Sequence, residues 1–246
     1  MAPSDDLWGA AARGDHDEVL RLTDAILAER PGDDAAHEMR ARALLARGRV
    51  DEAAQHAADA VRLDPEEIRY RELLAEVLSA QGAHREAAGE YARLARDDPR
   101  QRDWILAEAG ERLDADQARQ AADAARRAVR LDASDADAQL ALARALLRAG
   151  DASGALRAAT TASELRPGDL AVREALADAL WLSERDAAAF AEFRVLAGEL
   201  SGAARDRVLS KARSLYAQHA GFLGRLALAI PGLFPLMLER GWATVR

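Results

Sequence analysis

Proline recurs in this chain at a spacing of 34 residues: Pro31, Pro65, Pro99 and Pro167 share one phase, and Ala133 fills the vacant slot between the last two. Four of the seven prolines therefore lie in one register. Other columns keep the same spacing. Gly14, Gly48, Gly82 and Gly150 form one; Val19, Ala53, Ala87, Ala121, Ala155 and Ala189 form a second; Ile26, Ala60, Leu94, Ala128, Ala162 and Leu196 form a third. A period of this length marks a chain built from one supersecondary unit that buries its apolar face only against copies of itself.

Each column has a mechanical reason. Proline lacks the amide hydrogen and disfavours helix in the residue before it, so it separates one unit from the next. Glycine, about halfway through the unit, supplies the left-handed backbone that closes a first helix. Ala41, Ala75, Ala143 and Ala177 on that first helix, with the alanine column opening the second, let two helix axes approach closely. A larger side chain at such a crossing costs about 1–3 kcal/mol in overpacking. Leu74 with Leu78, Leu142 with Leu146 and Leu176 with Leu180 are i,i+4 pairs on the face that carries the small alanine. Aromatic residues are only 4% of a chain that is 50% hydrophobic, which is the composition of helices and not of sheets.

With these columns in place the unit resembles the tetratricopeptide repeat, most closely over residues 34–101, as in Gly48-Arg49-Val50-Asp51-Glu52-Ala53 and Leu63-Asp64-Pro65. The resemblance implies an all-α fold, a right-handed α-solenoid of stacked antiparallel helix hairpins. Six units are expected, over about 1–33, 34–67, 68–101, 102–135, 136–169 and 170–203, followed by a capping helix and an apolar segment in 204–246. Two units depart from the pattern. In 102–135 the turn glycine is Asp116, the proline slot is Ala133, Gly110 interrupts the first helix and Arg112 replaces its leucine, so a short or bent first helix is expected. In 170–203 the turn slot holds Glu184 and the proline slot Ser201.

Composition narrows the function. The formal net charge is -8, and Lys211 is the only lysine, which argues against nucleic-acid binding because neutralising phosphates takes a basic surface. There is no cysteine, so thiolate chemistry and disulfides are excluded. His16, His37, His56, His84 and His219 occupy different positions of the repeat and are not expected to converge on a metal. No phosphate-cradling glycine loop and no nucleophile elbow is present. Neither catalysis nor a cofactor or metal is expected. The N-terminus has no basic start followed by an apolar run, so the expected compartment is the cytoplasm, with the inner face of the membrane as the alternative.

The resemblance then implies a scaffold or adaptor that binds a peptide or helix of another protein in a groove lined by the first helices, through positions 2, 5, 9 and 12 of each unit. Mapped onto this chain, that groove includes Glu38 and Arg42, then Arg69, Glu72 and Glu76, then Leu140, Arg144 and Leu147 with neighbouring Arg148, and finally Glu174, Asp178 and Trp181. Acids outnumber bases in the mapped set, so the expected partner segment has a basic or mixed-charge face with one or two apolar anchors. The apolar run 222–238 has its own candidates: Phe222, Leu223, Leu226, Ile230, Leu233, Phe234, Leu236 and Leu238. Capping of the last unit is the first reading of this run. Its rivals are self-association and peripheral membrane contact, with the repeats as a spacer. Arg225, Pro231, Gly232 and Pro235 argue against a membrane span.

Overall fold

A computed structural model describes residues 3–219, 228, 232–241 and 243–245. Among these residues there is no strand, and helices follow one another at short turns. The helices are α1 (Pro3–Ala12), α2 (His16–Glu29), α3 (Asp34–Ala46), α4 (Val50–Leu63), α5 (Ile68–Ala80), α6 (His84–Asp97) and α7 (Arg102–Asp114), then α8 (Ala118–Leu131), α9 (Ala136–Ala149), α10 (Ala152–Leu165), α11 (Leu170–Leu182), α12 (Asp186–Glu199), α13 (Gly202–His219) and α14 (Leu233–Glu239). First helices begin at Asp34, Ile68, Arg102, Ala136 and Leu170, each 34 residues after the last.

The turn within each pair is set by backbone geometry. Gly14, Gly48, Gly82 and Gly150 have φ between 69° and 79°, and Asp116 and Glu184 adopt φ 58° in the same slot. The left-handed turn is thus kept where glycine is lost, at a cost of about 1–2 kcal/mol for a residue bearing a Cβ. Between pairs, an acid caps the next helix at matching positions. The Asp33 carboxylate accepts from the Ala36 amide at 2.9 Å, Asp135 from Asp137 at 2.9 Å and Asp169 from Ala171 at 2.8 Å. These backbone contacts hold the Asp169 carboxyl below its ordinary value, the Val172 amide contributing most.

Helix α7 corrects one expectation. It is 13 residues long, the length of α3, α5 and α11. Gly110 is exposed with open space beside it, and the residues that decide the helix, Ile105, Glu108 and Ala109, are buried. A mid-helix glycine costs about 1 kcal/mol relative to alanine. Burial of the adjacent face outweighs that, and Arg112 donates to Glu108 one turn back at 2.8 Å instead of leaving a gap.

The chain forms two compact units, 1–117 and 118–246. In the first, α1 to α7 pack in sequence, each against the next, and α3 also touches α5. In the second, α8 to α13 pack likewise, α9 touches α11, and α14 lies on α12. Contact of similar extent is not made between α4 and α6 or between α10 and α12, so within each unit the first helices form the inner layer. Alanine dominates the crossings: Ala41, Ala53, Ala57, Ala75 and Ala87 in the first unit and Ala143, Ala155, Ala177 and Ala189 in the second have no exposed surface. The second unit ends in a different kind of core, where Phe190, Phe193, Leu196, Val208, Leu215 and Tyr216 close on Leu228, Phe234 and Leu238. Tyr216 links the layers, its ring 6.1 Å from Phe190 and 5.6 Å from Phe234.

Candidate functional site

Two inner-layer helices carry an acidic pair at the fifth and ninth positions of the repeat: Glu72 and Glu76 on α5, Glu174 and Asp178 on α11. One turn apart, the two carboxylates of each pair share a helix face. On α11 the pair is filled. The Lys211 ammonium, on α13, donates to both Asp178 oxygens at 2.8 and 2.7 Å and to Glu174 at 3.2 Å. Even so, burial pushes the Asp178 carboxyl above its ordinary value, Lys211 opposes that and Glu174 adds to it.

On α5 the pair is open. The Trp104 indole, on α7, donates to Glu72 at 2.5 Å, while Glu76 is exposed and has no partner among the described residues. Behind them stands Tyr91 on α6, half-buried, its hydroxyl pushed up to about 12 by burial and then by Glu76, Glu111 and Glu72. Glu111 itself is engaged, accepting from the Ser79 hydroxyl at 2.6 Å and meeting His84 Nδ1 at 2.8 Å. The His84 imidazole is raised by that hydrogen bond. The result is an acidic pair in the first unit with Trp104 at its edge and Tyr91 close enough to feel its charge.

A third cluster lies across the α3/α4 pair. His37 Nδ1 and His56 Nδ1 are 2.9 Å apart, His37 Nε2 meets the Pro31 carbonyl at 3.0 Å, and Arg40 Nε donates to His56 Nε2 at 2.9 Å. One set of neutral tautomers satisfies all three contacts. His37 carries its proton on Nε2, given to Pro31, and accepts at Nδ1 from His56 Nδ1–H. His56 in turn accepts from Arg40 at Nε2. Burial, followed by the Arg40 charge, holds His56 below its ordinary value and so keeps it neutral. Asp59, one turn after His56, places Oδ2 3.9 Å from His37 Nδ1. The expectation that the histidines stay apart is therefore corrected for this pair: the fourth position of the first helix faces the twenty-third position of the unit, on its second helix.

Two family models, both described as tetratricopeptide repeat, match residues 10–77 and 140–204, together more than half of the chain. The chain is a tetratricopeptide repeat protein. Among curated proteins no sequence matches it. Among solved structures, the C-terminal part of a tetratricopeptide repeat-containing protein from Cytophaga hutchinsonii is similar with TM-score 0.71 and 14% identity, covering 96% of this chain and 95% of that one. A tetratricopeptide repeat protein from Parabacteroides merdae gives TM-score 0.68 and 14% identity, covering 97% and 96%. MamA from Desulfovibrio magneticus gives TM-score 0.59 and 16% identity over 66% of this chain and 92% of that one. At these identities the likeness concerns the fold.

In this repeat protein the residues mapped to a groove divide sharply. Arg42, Arg69 and Glu76 are exposed in the first unit, and Arg144 and Arg148 in the second. Arg144 lines a cleft of about 210 Å³ with Leu147, Glu174 and Asp178. Others belong to packing. Glu38 is only 3% exposed; one of its oxygens accepts from Arg42 at 3.0 Å and the other is buried with no partner among the described residues. Leu140, 7% exposed, joins Ala162, Val172 and Ala175 in a core cluster on which Leu147 packs. Trp181 is half-buried and stands edge-on to Phe193, with ring centroids 6.0 Å apart, so its ring belongs to the last core.

The C-terminal candidates divide as well. Phe234 and Leu238 are buried, Leu233 is half-buried and Leu236 is exposed, whereas Phe222, Leu223, Leu226 and Ile230 lie outside the described residues. On α13, His219 is exposed and paired with Asp186 at 2.7 Å. No helix among the described residues is long and apolar enough to cross a membrane.

Proposed function

We propose that this chain is an interaction scaffold whose first unit holds a lysine- or arginine-bearing segment of a partner protein on the Glu72–Glu76 face of α5. The observation that carries the reading is the Lys211 contact. At the same two repeat positions on α11, the chain's own lysine sits between Glu174 and Asp178. The α5 pair offers the same carboxylate spacing without a cation of its own. Trp104 and Tyr91 beside it provide apolar surface for the stem of a long basic side chain, which keeps its charged head at the carboxylates. The six repeats over 1–203 act as the binding array and 204–246 close its last hairpin, consistent with burial of Phe234 and Leu238. The Glu174–Asp178 pair of α11, filled by Lys211, then contributes to fold and not to capture.

The test is crosslinking capture from the native cells, comparing the wild type with the double variant Glu72→Gln/Glu76→Gln and with Glu174→Gln as control. The first variant is expected to lose the captured protein, the control to keep it, and capture by the wild type to weaken with salt because exposed charges are screened beyond about 8–10 Å. Identical capture by wild type and the α5 double variant overturns the reading.

A further inference from the structure

We propose that His37, His56 and Asp59 form a binding site for a zinc-class divalent cation across the α3/α4 pair. The inference is independent of the protein-binding reading and uses no residue of the α5 face. The donor atoms of the three residues all lie within 4.8 Å of one another. Around a tetrahedral zinc, with bonds of about 2.0–2.2 Å, donors stand roughly 3.3 Å apart. Two of the separations bracket that value, 2.9 Å between the two Nδ1 atoms and 3.9 Å from His37 Nδ1 to Asp59 Oδ2, and the third lies within 4.8 Å.

The surroundings already orient the donors. The Pro31 carbonyl takes the His37 Nε2 proton at 3.0 Å, which leaves the Nδ1 lone pair aimed into the gap. A carbonyl or carboxylate on the far nitrogen is the usual partner of a metal-bound imidazole, because it fixes both tautomer and ring orientation. Arg62 plays the corresponding part for Asp59, holding Oδ1 at 2.9 Å while Oδ2 faces His37. His56 and Asp59 are spaced i,i+3 on α4, one helix face, and His37 comes from α3 opposite. His37 is buried, whereas His56 and Asp59 are half-buried, so a cation can enter from the solvent side and keep water in a fourth position. Two imidazoles and one carboxylate suit zinc, cobalt and nickel better than magnesium or calcium, which prefer oxygen donors throughout.

Without metal the same atoms form a hydrogen-bonded relay, and binding must compete with it. His56 has to present Nδ1 to the cation, so its single proton moves from Nδ1 to Nε2 through solvent, with no net proton release. The relocated N–H then opposes the Arg40 Nε–H. Arg40 has somewhere to go: it is already bound to Asp24 at 2.5 Å, and to the Thr23 hydroxyl at 3.3 Å. Its guanidinium keeps those contacts and releases His56.

Titration calorimetry of the full chain at neutral pH with Zn²⁺, and with Mg²⁺ for comparison, tests the site. Zn²⁺ is expected to saturate at one equivalent per chain and to raise the melting temperature, with no Mg²⁺ response. His56→Gln and Asp59→Asn should each weaken binding roughly tenfold or more. Asp59 is on the half-exposed flank, so the Asp59→Asn protein retains its helical circular dichroism and keeps the test meaningful even where His56→Gln lowers stability. Arg40→Met removes the competing donor and should tighten Zn²⁺ binding. Absence of stoichiometric binding, or wild-type affinity retained in either Asp59→Asn or His56→Gln, overturns the proposal.

Discussion

The α5/α6 and α11/α12 pairs are the same 34-residue unit with nearly the same residues at its key positions, yet they end in different chemistry. Ala75 matches Ala177, Leu78 matches Leu180, Tyr91 matches Phe193, and Glu72 with Glu76 match Glu174 with Asp178. In the earlier pair Glu76 is exposed and Glu72 half-buried, with Trp104 of the following helix at one edge and Tyr91 only half-buried. In the later pair the following element is α13, whose Lys211 fills the carboxylates and stands 6.0 Å above the fully buried Phe193 ring. Repeat position therefore sets where a side chain points, and the next helix in the stack sets whether it serves as surface or as core.

That contrast can be broken most forcefully at the shared aromatic position. Phe193→Ala should cost about 3–5 kcal/mol in urea unfolding, the usual range for a fully buried ring, whereas Tyr91→Ala should cost about half as much. Equal losses would mean that the two pairs are buried alike and that α5 has no open face.

A smaller effect is expected from the cation. Lys211→Ala leaves Glu174 and Asp178 together without a counter-charge, and because all three side chains are only partly buried the loss should be about 1–2 kcal/mol at neutral pH, between the values for surface and buried pairs. The pH dependence has a definite sign. The Asp178 carboxyl is raised in the folded protein, and removing Lys211 raises it further. A group whose folded value exceeds its unfolded one favours the fold below the unfolded value, and that contribution is lost as pH rises through the folded value. The deficit of Lys211→Ala should therefore shrink on acidification, measured as melting temperature against pH. A deficit that grows in acid would show that Lys211 acts through something other than these carboxylates.

The smallest effect concerns the turn. Gly82 and Glu184 occupy the same slot, with φ 79° and 58°. Glu184→Gly relieves a left-handed glutamate and should add about 1 kcal/mol, and Gly82→Glu should remove a similar amount. If both substitutions prove neutral in thermal unfolding, the slot is not strained and the glycine column owes its spacing to something else.

Much of the fold was legible in the columns. Every first helix from α3 to α11 begins at the phase the prolines mark, and even the slots without glycine keep its backbone. Helix α7 is not shortened as Gly110 and Arg112 imply, because those are local signals and the helix is held by the burial of Ile105 and Ala109. The candidate face was legible only in part. Positions 5 and 9 of the repeat point to the inner layer, but Glu38 and Leu140, at the same fifth position, are buried by their neighbours. The histidine pair left no signal in the columns at all. Columns compare one position across repeats, and His37 meets His56 across a single pair, between two positions that no other repeat fills with histidine.

By itself, then, the sequence determined the period, the helices, their turns and the face each position takes, because these follow from local backbone preference and from contacts that recur identically in every unit. Only the tertiary structure decided which of those faces remain open. Lys211 reaches α11 from more than thirty residues away and Trp104 reaches α5 from about as far. Such contacts occur once each, so no repetition in the chain announces them, and their energies depend on the burial that the neighbouring helix alone supplies.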